Sequence, residues 1–325
     1  MNAWTNFGHI SLAAIAAAAT LAVSTPAHAA LDCNFATPNV VFGDVDVTLN
    51  TQSDSTTTLQ INCSGGTASQ QVRVCPNLGA GTGGTTTGDP RFLLFGAAQL
   101  NYNLYSDAGR TTVWGSYLWG FAPQPPTLNI TLDGTGSLIT AVTIYARLWS
   151  GQQTALPGTY ASDFSSHSQI AYADASFGDC AAIGSTNAKT VTLQVSANVV
   201  NACRISSTTH DFGTAGLLNV TTNTTSTVTA TCSATTPYTI SLDGGTSGAA
   251  DPTQRKMSKG GEHVTYGLYH DAGRAQAWGS TLGVNMGGGT GSGLGQNYTV
   301  YGQVLAQPTP SAGVYTDTIV TTVTY

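Results

Sequence analysis

Six cysteines (Cys33, Cys63, Cys75, Cys180, Cys203 and Cys232) are the residues of this chain whose type and spacing carry the most definite chemistry. An even set of cysteines behind a secretory leader implies disulfides formed in an oxidising compartment. Metal binding would need Cys-x-x-Cys or close Cys/His spacing, and the sequence has neither. Other reactive patterns fail on their context. Gly79-Ala-Gly-Thr-Gly-Gly84 has the glycine spacing of a dinucleotide loop, but Thr85-Thr-Thr-Gly-Asp-Pro90 follows it and cannot start the helix that would hold a phosphate. His167, His210, His263 and His270 show no metal spacing, and no serine sits in a nucleophile elbow. The acidic residues fall mostly in Asp-Gly and Asp-Ala-Gly turns, which leaves no glycosidase pair. The chain reads as a non-enzyme without cofactor or metal.

The leader is residues 1–29. Leu12 to Val23 is an apolar run of signal-peptide length, and Ala27-His-Ala29 is a small-x-small cleavage site, although Lys and Arg are missing ahead of the run. Only Ala30, Leu31 and Asp32 would then precede Cys33. Charged residues make up 8% of the chain and the formal net charge is −6, which excludes a nucleic-acid partner because that needs a basic face. Sparse charge with abundant threonine suits extended antiparallel structure, where β-branched side chains fit the pleat.

The elements that position these residues come in two copies. Tyr102 to Gly115 (YNLYSDAGRTTVWG) recurs as Tyr266 to Gly279 (YGLYHDAGRAQAWG), and Gly158-Thr-Tyr160 recurs as Gly313-Val-Tyr315. A repeat this long is a duplicated domain. We divide the mature chain into residues 30–188 and 189–325, each of ordinary domain size. The duplication pairs Cys33 with Cys63 and Cys203 with Cys232, and leaves Cys75 for Cys180. Short alternating runs broken by Gly, Asp and Asn read as β-sandwiches. Strands are expected at 57–63, 70–75, 100–105, 111–114, 128–132, 138–148 and 166–172, with no helix after the leader. Val191, Leu193, Val195, Ala197 and Val199 alternate on one face of a further strand. It is either a detachable arm or the first strand of the second domain, and the first domain is completed by this segment or by 173–180.

Differences between the copies locate a candidate binding surface. Loops 77–99, 115–127 and 149–157 are richer in apolar residues than their counterparts, and an up-and-down trace puts all three at one end of the first domain. They contribute Phe92, Leu93, Leu94, Phe95, Tyr117, Leu118, Trp119, Phe121 and Trp149. Clustered loop aromatics mark interaction surfaces, here an abiotic or host surface or a stacked sugar. They could instead pack beneath their own loops. Trp114 and Trp278 occur in both copies and are assigned to cores.

The early cysteine pair, the Tyr-x-Leu-Tyr-x-Asp-Ala-Gly-Arg segment with its Trp-Gly, and the terminal Gly313 to Tyr325 (GVYTDTIVTTVTY) resemble the spore coat protein U domain family, which includes subunits of archaic chaperone–usher pili. The resemblance covers the second domain almost end to end and the first more loosely. It implies an all-β fold of two tandem immunoglobulin-like β-sandwiches, the C-terminal one lacking its last strand. It also implies a periplasmic chaperone that lends a strand, an outer-membrane usher, and an adjacent pilus subunit whose arm replaces the chaperone strand. Ile319, Val323 and Tyr325 then belong to the edge that meets chaperone and donor. With no arm ahead of Cys33, the chain is expected to be a tip adhesin, secreted through the periplasm to the cell surface and supporting attachment and biofilm formation. A structural pilus or coat subunit and a lectin are the alternatives.

Overall fold

Extended strands dominate a computed structural model that describes residue 1 and residues 30–86, 89–119, 121 and 124–325. The leader beyond Met1, together with Pro123, lies outside the described residues. The first half contains β1 (Asp32–Ala36), β2 (Val40–Val45), β3 (Ser53–Ser64), β4 (Gln71–Leu78), β5 (Arg91–Phe95), β6 (Ala98–Tyr105), β7 (Leu128–Thr131), β8 (Leu138–Leu148), β9 (Gly158–Asp163), β10 (Ser168–Asp174) and β11 (Gln194–Val199). One sheet runs β1-β3-β8-β6-β5-β9-β11-β2 and the other β10-β4-β7. The second half contains β12 (Cys203–Ser207), β13 (Thr222–Cys232), β14 (Pro237–Leu242), β15 (Arg255–Lys259), β16 (Glu262–Tyr269), β17 (Gly287–Thr290), β18 (Gly295–Val304) and β19 (Thr321–Thr324), in sheets β12-β13-β18-β16-β15 and β17-β14-β19. Each half encloses its own hydrophobic core.

Alternation fixes the long central pair. Thr57, Leu59, Ile61 and Cys63 of β3 point inward, and β3 runs against β8 from Ser53 opposite Leu148 to Cys63 opposite Leu138. A one-residue slip would turn this apolar set to solvent. The turn ahead of β8 is held by Asp133, whose carboxylate accepts from the Thr135 and Ser137 amides. Gly136 has φ +75°, and a Cβ there would meet the Gly66 carbonyl oxygen, so only glycine fits.

The repeated Asp-Ala-Gly-Arg block is a turn with two tasks. Asp107 accepts from the Thr111 and Thr112 amides, as Asp271 does from Ala275 and Gln276. Arg110 and Arg274 adopt φ +57° and +56°, and their Nε atoms donate to the Ala146 and Gly302 carbonyls, each at 3.1 Å. The strand expected at 111–114 is reduced to one bridge, Tyr105 with Val113.

Disulfides join Cys33 to Cys63, Cys75 to Cys180 and Cys203 to Cys232. The first and third link neighbouring strands at equivalent places, while the second ties β4 to a four-residue helix, α1 (Cys180–Ile183), that the sequence reading omitted. Three further differences matter for function. Residues 77–99 are not one loop, because β5 pairs with β6 there. β2 was not foreseen. Finally, the alternating segment belongs to the first sandwich: β11 runs antiparallel to β9 and parallel to β2, burying Val191, Leu193, Val195, Ala197 and Val199. The division expected at 188/189 therefore falls ahead of a first-sandwich strand, and the change-over between sheets lies at 200–202. Burying the larger of these side chains is worth about 1.5–3 kcal/mol each.

Candidate functional site

The two sandwiches differ at one edge. Ala161 of β9 bridges Leu94 of β5, as Thr316 bridges Ser258 of β15. Downstream, β10 pairs with β4 as β19 pairs with β14. Residues 313–319 therefore correspond to β9. In the first sandwich β11 lies between β9 and β2. Among the described residues no strand takes that place in the second, where an open cleft of about 470 Å³ runs between 208–212 and 314–319 over Val228, Leu242, Met257, Tyr266 and Leu268. A second cavity of about 460 Å³ shares Phe212, Met257 and Tyr315 with it and extends the cleft to Leu218, Val264 and Val304. Val314 at the rim is 81% exposed. An apolar trough beside an unpaired backbone edge is the shape that strand addition fills.

The cleft walls are fixed by buried polar groups. Arg255 is fully buried, and its guanidinium donates to the Leu242, Asp243, Pro252 and Trp278 carbonyls, closing the ends of β14 and of the tryptophan segment together. Arg91 does the same in the first sandwich with Leu78, Gly79 and Trp114, and burial pushes its pKa down to about 10. Tyr266 donates to Asp317 at 2.7 Å. Burial opposes ionisation of Asp317, but the bonds from Thr246, Tyr266 and Thr318 outweigh it and hold the carboxyl below the usual range. Burial and the Asp317 carboxylate both push the Tyr266 phenol up.

Of the expected chaperone edge, Ile319 lines the cleft. Val323 pairs with Ile240 of β14 and packs on the core, while Tyr325 is exposed. The edge free to pair thus centres on 313–319, upstream of β19. Thr316 donates to Ser258, so alternation turns the Tyr315 and Asp317 amides toward the cleft.

The aromatic residues of the first sandwich do not form one cluster. Leu93 is in the core at 0% exposure, and Phe121 is 3% exposed with its ring 4.1 Å from the Arg91 guanidinium, so neither contributes to a surface. Phe92, Leu94, Tyr117 and Leu118 are half-buried. Tyr117 packs beside the Cys75–Cys180 bridge, and its amide donates to Asn77. Trp119 is 37% exposed and rests against Gly79, 6.0 Å from the His167 ring. Phe95, 42% exposed, instead packs on Tyr160 and against Gly158. Trp149 is half-buried and donates to the Tyr105 hydroxyl at 3.3 Å. Gly158 pairs with Val199, where the chain leaves for the second sandwich, and Gln153 lies against Gly293 of that sandwich. Loop 149–157 and Phe95 are therefore at the interdomain end. Trp119 and His167 lie beyond the other end of β9, which corrects the expectation of three loops at one tip. Exposed Phe177, beside α1, had no sequence signal beyond its type. Among the described residues no group of three or more His, Cys, Asp or Glu could hold a metal ion.

Tandem immunoglobulin-like sandwiches, one complete and one open along a single edge, define the class of protein. The Spore Coat Protein U domain model matches residues 17–165 and 189–322, and the chain belongs to that family. It is similar in fold to a chain of the CsuC–CsuE chaperone–tip adhesion subunit pre-assembly complex from the archaic chaperone–usher Csu pili of Acinetobacter baumannii, at 16% identity and TM-score 0.52 over 90% of this chain and all of that one. The CupB6 tip adhesin of Pseudomonas aeruginosa aligns at 10% identity and TM-score 0.37, over 91% of this chain and 94% of that one. No curated relative matches the sequence.

Proposed function

We propose that the chain is the tip adhesin of a chaperone–usher pilus. Its second sandwich accepts a strand, first from a periplasmic chaperone and then, at the outer-membrane usher, from the adjacent subunit. Its first sandwich, completed within the chain, attaches the pilus to an abiotic or host surface and so supports biofilm formation. The observation that carries this reading is that β11 fills in the first half the place that is open in the second. The adhesive end is the Trp119 side, away from the second sandwich. There the Trp119 ring, 37% exposed, offers apolar area for broad hydrophobic contact.

The burial of Leu93 and Phe121 favours a second reading, a structural subunit whose loops serve only its own core. One experiment separates the two. Cells lacking the chain should lose attachment to hydrophobic plastic and regain it with the wild-type chain. Tyr315→Pro, which removes an amide on the open edge, should restore nothing because the subunit is not assembled. Normal attachment by a Trp119→Ala chain displayed at the wild-type level would support the structural reading, and full rescue by Tyr315→Pro would refute strand acceptance.

A further inference from the structure

The cleft contains a histidine where the first sandwich has an aliphatic residue. Phe42-Gly43 follows Cys33 at the same distance as Phe212-Gly213 follows Cys203, which makes Val40 the counterpart of His210. Both phenylalanines meet the equivalent tyrosine edge-on, Phe42 with Tyr102 and Phe212 with Tyr266. Val40 is fully buried and pairs with Val195 of the completing strand. His210 occupies that place with no strand beside it. A second exchange accompanies it. Ala146 lies opposite Leu104 in β8, and Gly302 lies opposite Leu268 in β18. A Cβ on Gly302 would run into His210 Nε2, so the imidazole sits in the space left by the missing methyl.

The ring is a fastening. Its Nδ1 is 2.7 Å from Ser226 Oγ on β13, and its ring centre lies 5.0 Å from that of Phe212, the two rings tilted. Nε2 is buried without a hydrogen-bond partner. A neutral imidazole tolerates this, whereas a protonated one would carry a second N–H with no acceptor. Burial lowers the pKa first, and the Arg274 guanidinium, anchored on Gly302, lowers it further; Asp211 opposes them. Across the cleft, Tyr266 stays protonated on the Asp317 carboxylate.

Resting on the strand-accepting reading above, we infer that His210, seated over Gly302, holds residues 208–212 at the cleft edge and makes strand acceptance depend on pH. Neutral His210 keeps the edge in place for parallel pairing. Protonation unseats the ring, and the incoming strand must restore it. Because the folded pKa is depressed, the stabilising contribution is complete above the ordinary histidine value and is lost as pH falls through the folded one.

The probe is a synthetic peptide of residues 189–200, the segment that completes the first sandwich, titrated into the full mature chain. Affinity for the wild type should fall severalfold between about pH 7.5 and about pH 5. The paired change His210→Val with Gly302→Ala, which installs the first-sandwich residues, should bind at both pH values alike. Gly302→Ala alone should bind poorly at either pH, and His210→Val should rescue it. A wild-type affinity that does not change with pH, or an equal fall in the paired variant, would overturn the role of His210 while leaving strand acceptance intact. Absence of peptide binding to the wild type at about pH 7.5 would overturn both.

Discussion

Val199 is paired with Gly158, and the counterpart of Gly158 in the second sandwich, Gly313, has an exposed backbone edge instead. The same strand framework therefore occurs in one chain in a filled and an open form, and the filled copy serves as a template for the other.

The template makes β11 a core element of the first sandwich. Leu193→Ala should destabilise that sandwich by about 2–5 kcal/mol in denaturant unfolding. Ile139→Ala, at an exposed site, should stay within about 0.5 kcal/mol of wild type. A negligible effect of Leu193→Ala would mean that 191–199 is a loose arm.

Trp119 and Phe121 should separate. Phe121→Ala should lower stability by about 3–5 kcal/mol, since it uncovers the buried Arg91. Trp119→Ala should leave thermal stability and surface display near wild type and reduce attachment to hydrophobic plastic severalfold. The loss arises from apolar area multiplied by avidity. Unchanged attachment would remove Trp119 from the adhesive surface.

Acid should weaken the second sandwich through Asp317. Its carboxyl is held below the usual range, so its contribution is present above about pH 4, the ordinary aspartate value, and is lost as pH falls through the lower folded one. Asp317→Asn should flatten the thermal midpoint against pH in that window, which a pH series of melting curves would show. An unaltered acid slope would assign the effect to another carboxylate.

The Cys75–Cys180 bridge closes a loop with a sequence separation of 105 residues. Replacing both cysteines with serine should cost roughly 3–5 kcal/mol in the chain-entropy model, read from chemical unfolding of the otherwise intact chain. No loss would show that α1 and the Tyr117 loop are held by packing alone.

Fold class, duplication and cysteine pairing could be read from the sequence because they leave repeated or alternating signals, as at Tyr102 and Tyr266 or Val191 to Val199. Ownership of that alternating strand could not, because its period specifies two faces but not which sheet supplies its neighbours. The aromatic loops misled for a related reason. Phe121 looks exposed beside three prolines, yet Arg91, 30 residues earlier in sequence, draws its ring inward through a contact visible only in the fold. His210 carried no metal or catalytic spacing, and its meaning depends on Gly302, which lies on another strand.

The central claim is that the second sandwich takes a strand between 208–215 and 313–319. Backbone hydrogen exchange of the full mature chain, with and without the 189–200 peptide, tests it most directly. Saturating peptide should slow exchange across 313–319 and 208–215 and leave 158–163, already paired with β11, unchanged. Unaltered exchange at 313–319 under saturating peptide, or protection confined to the first sandwich, would contradict the account.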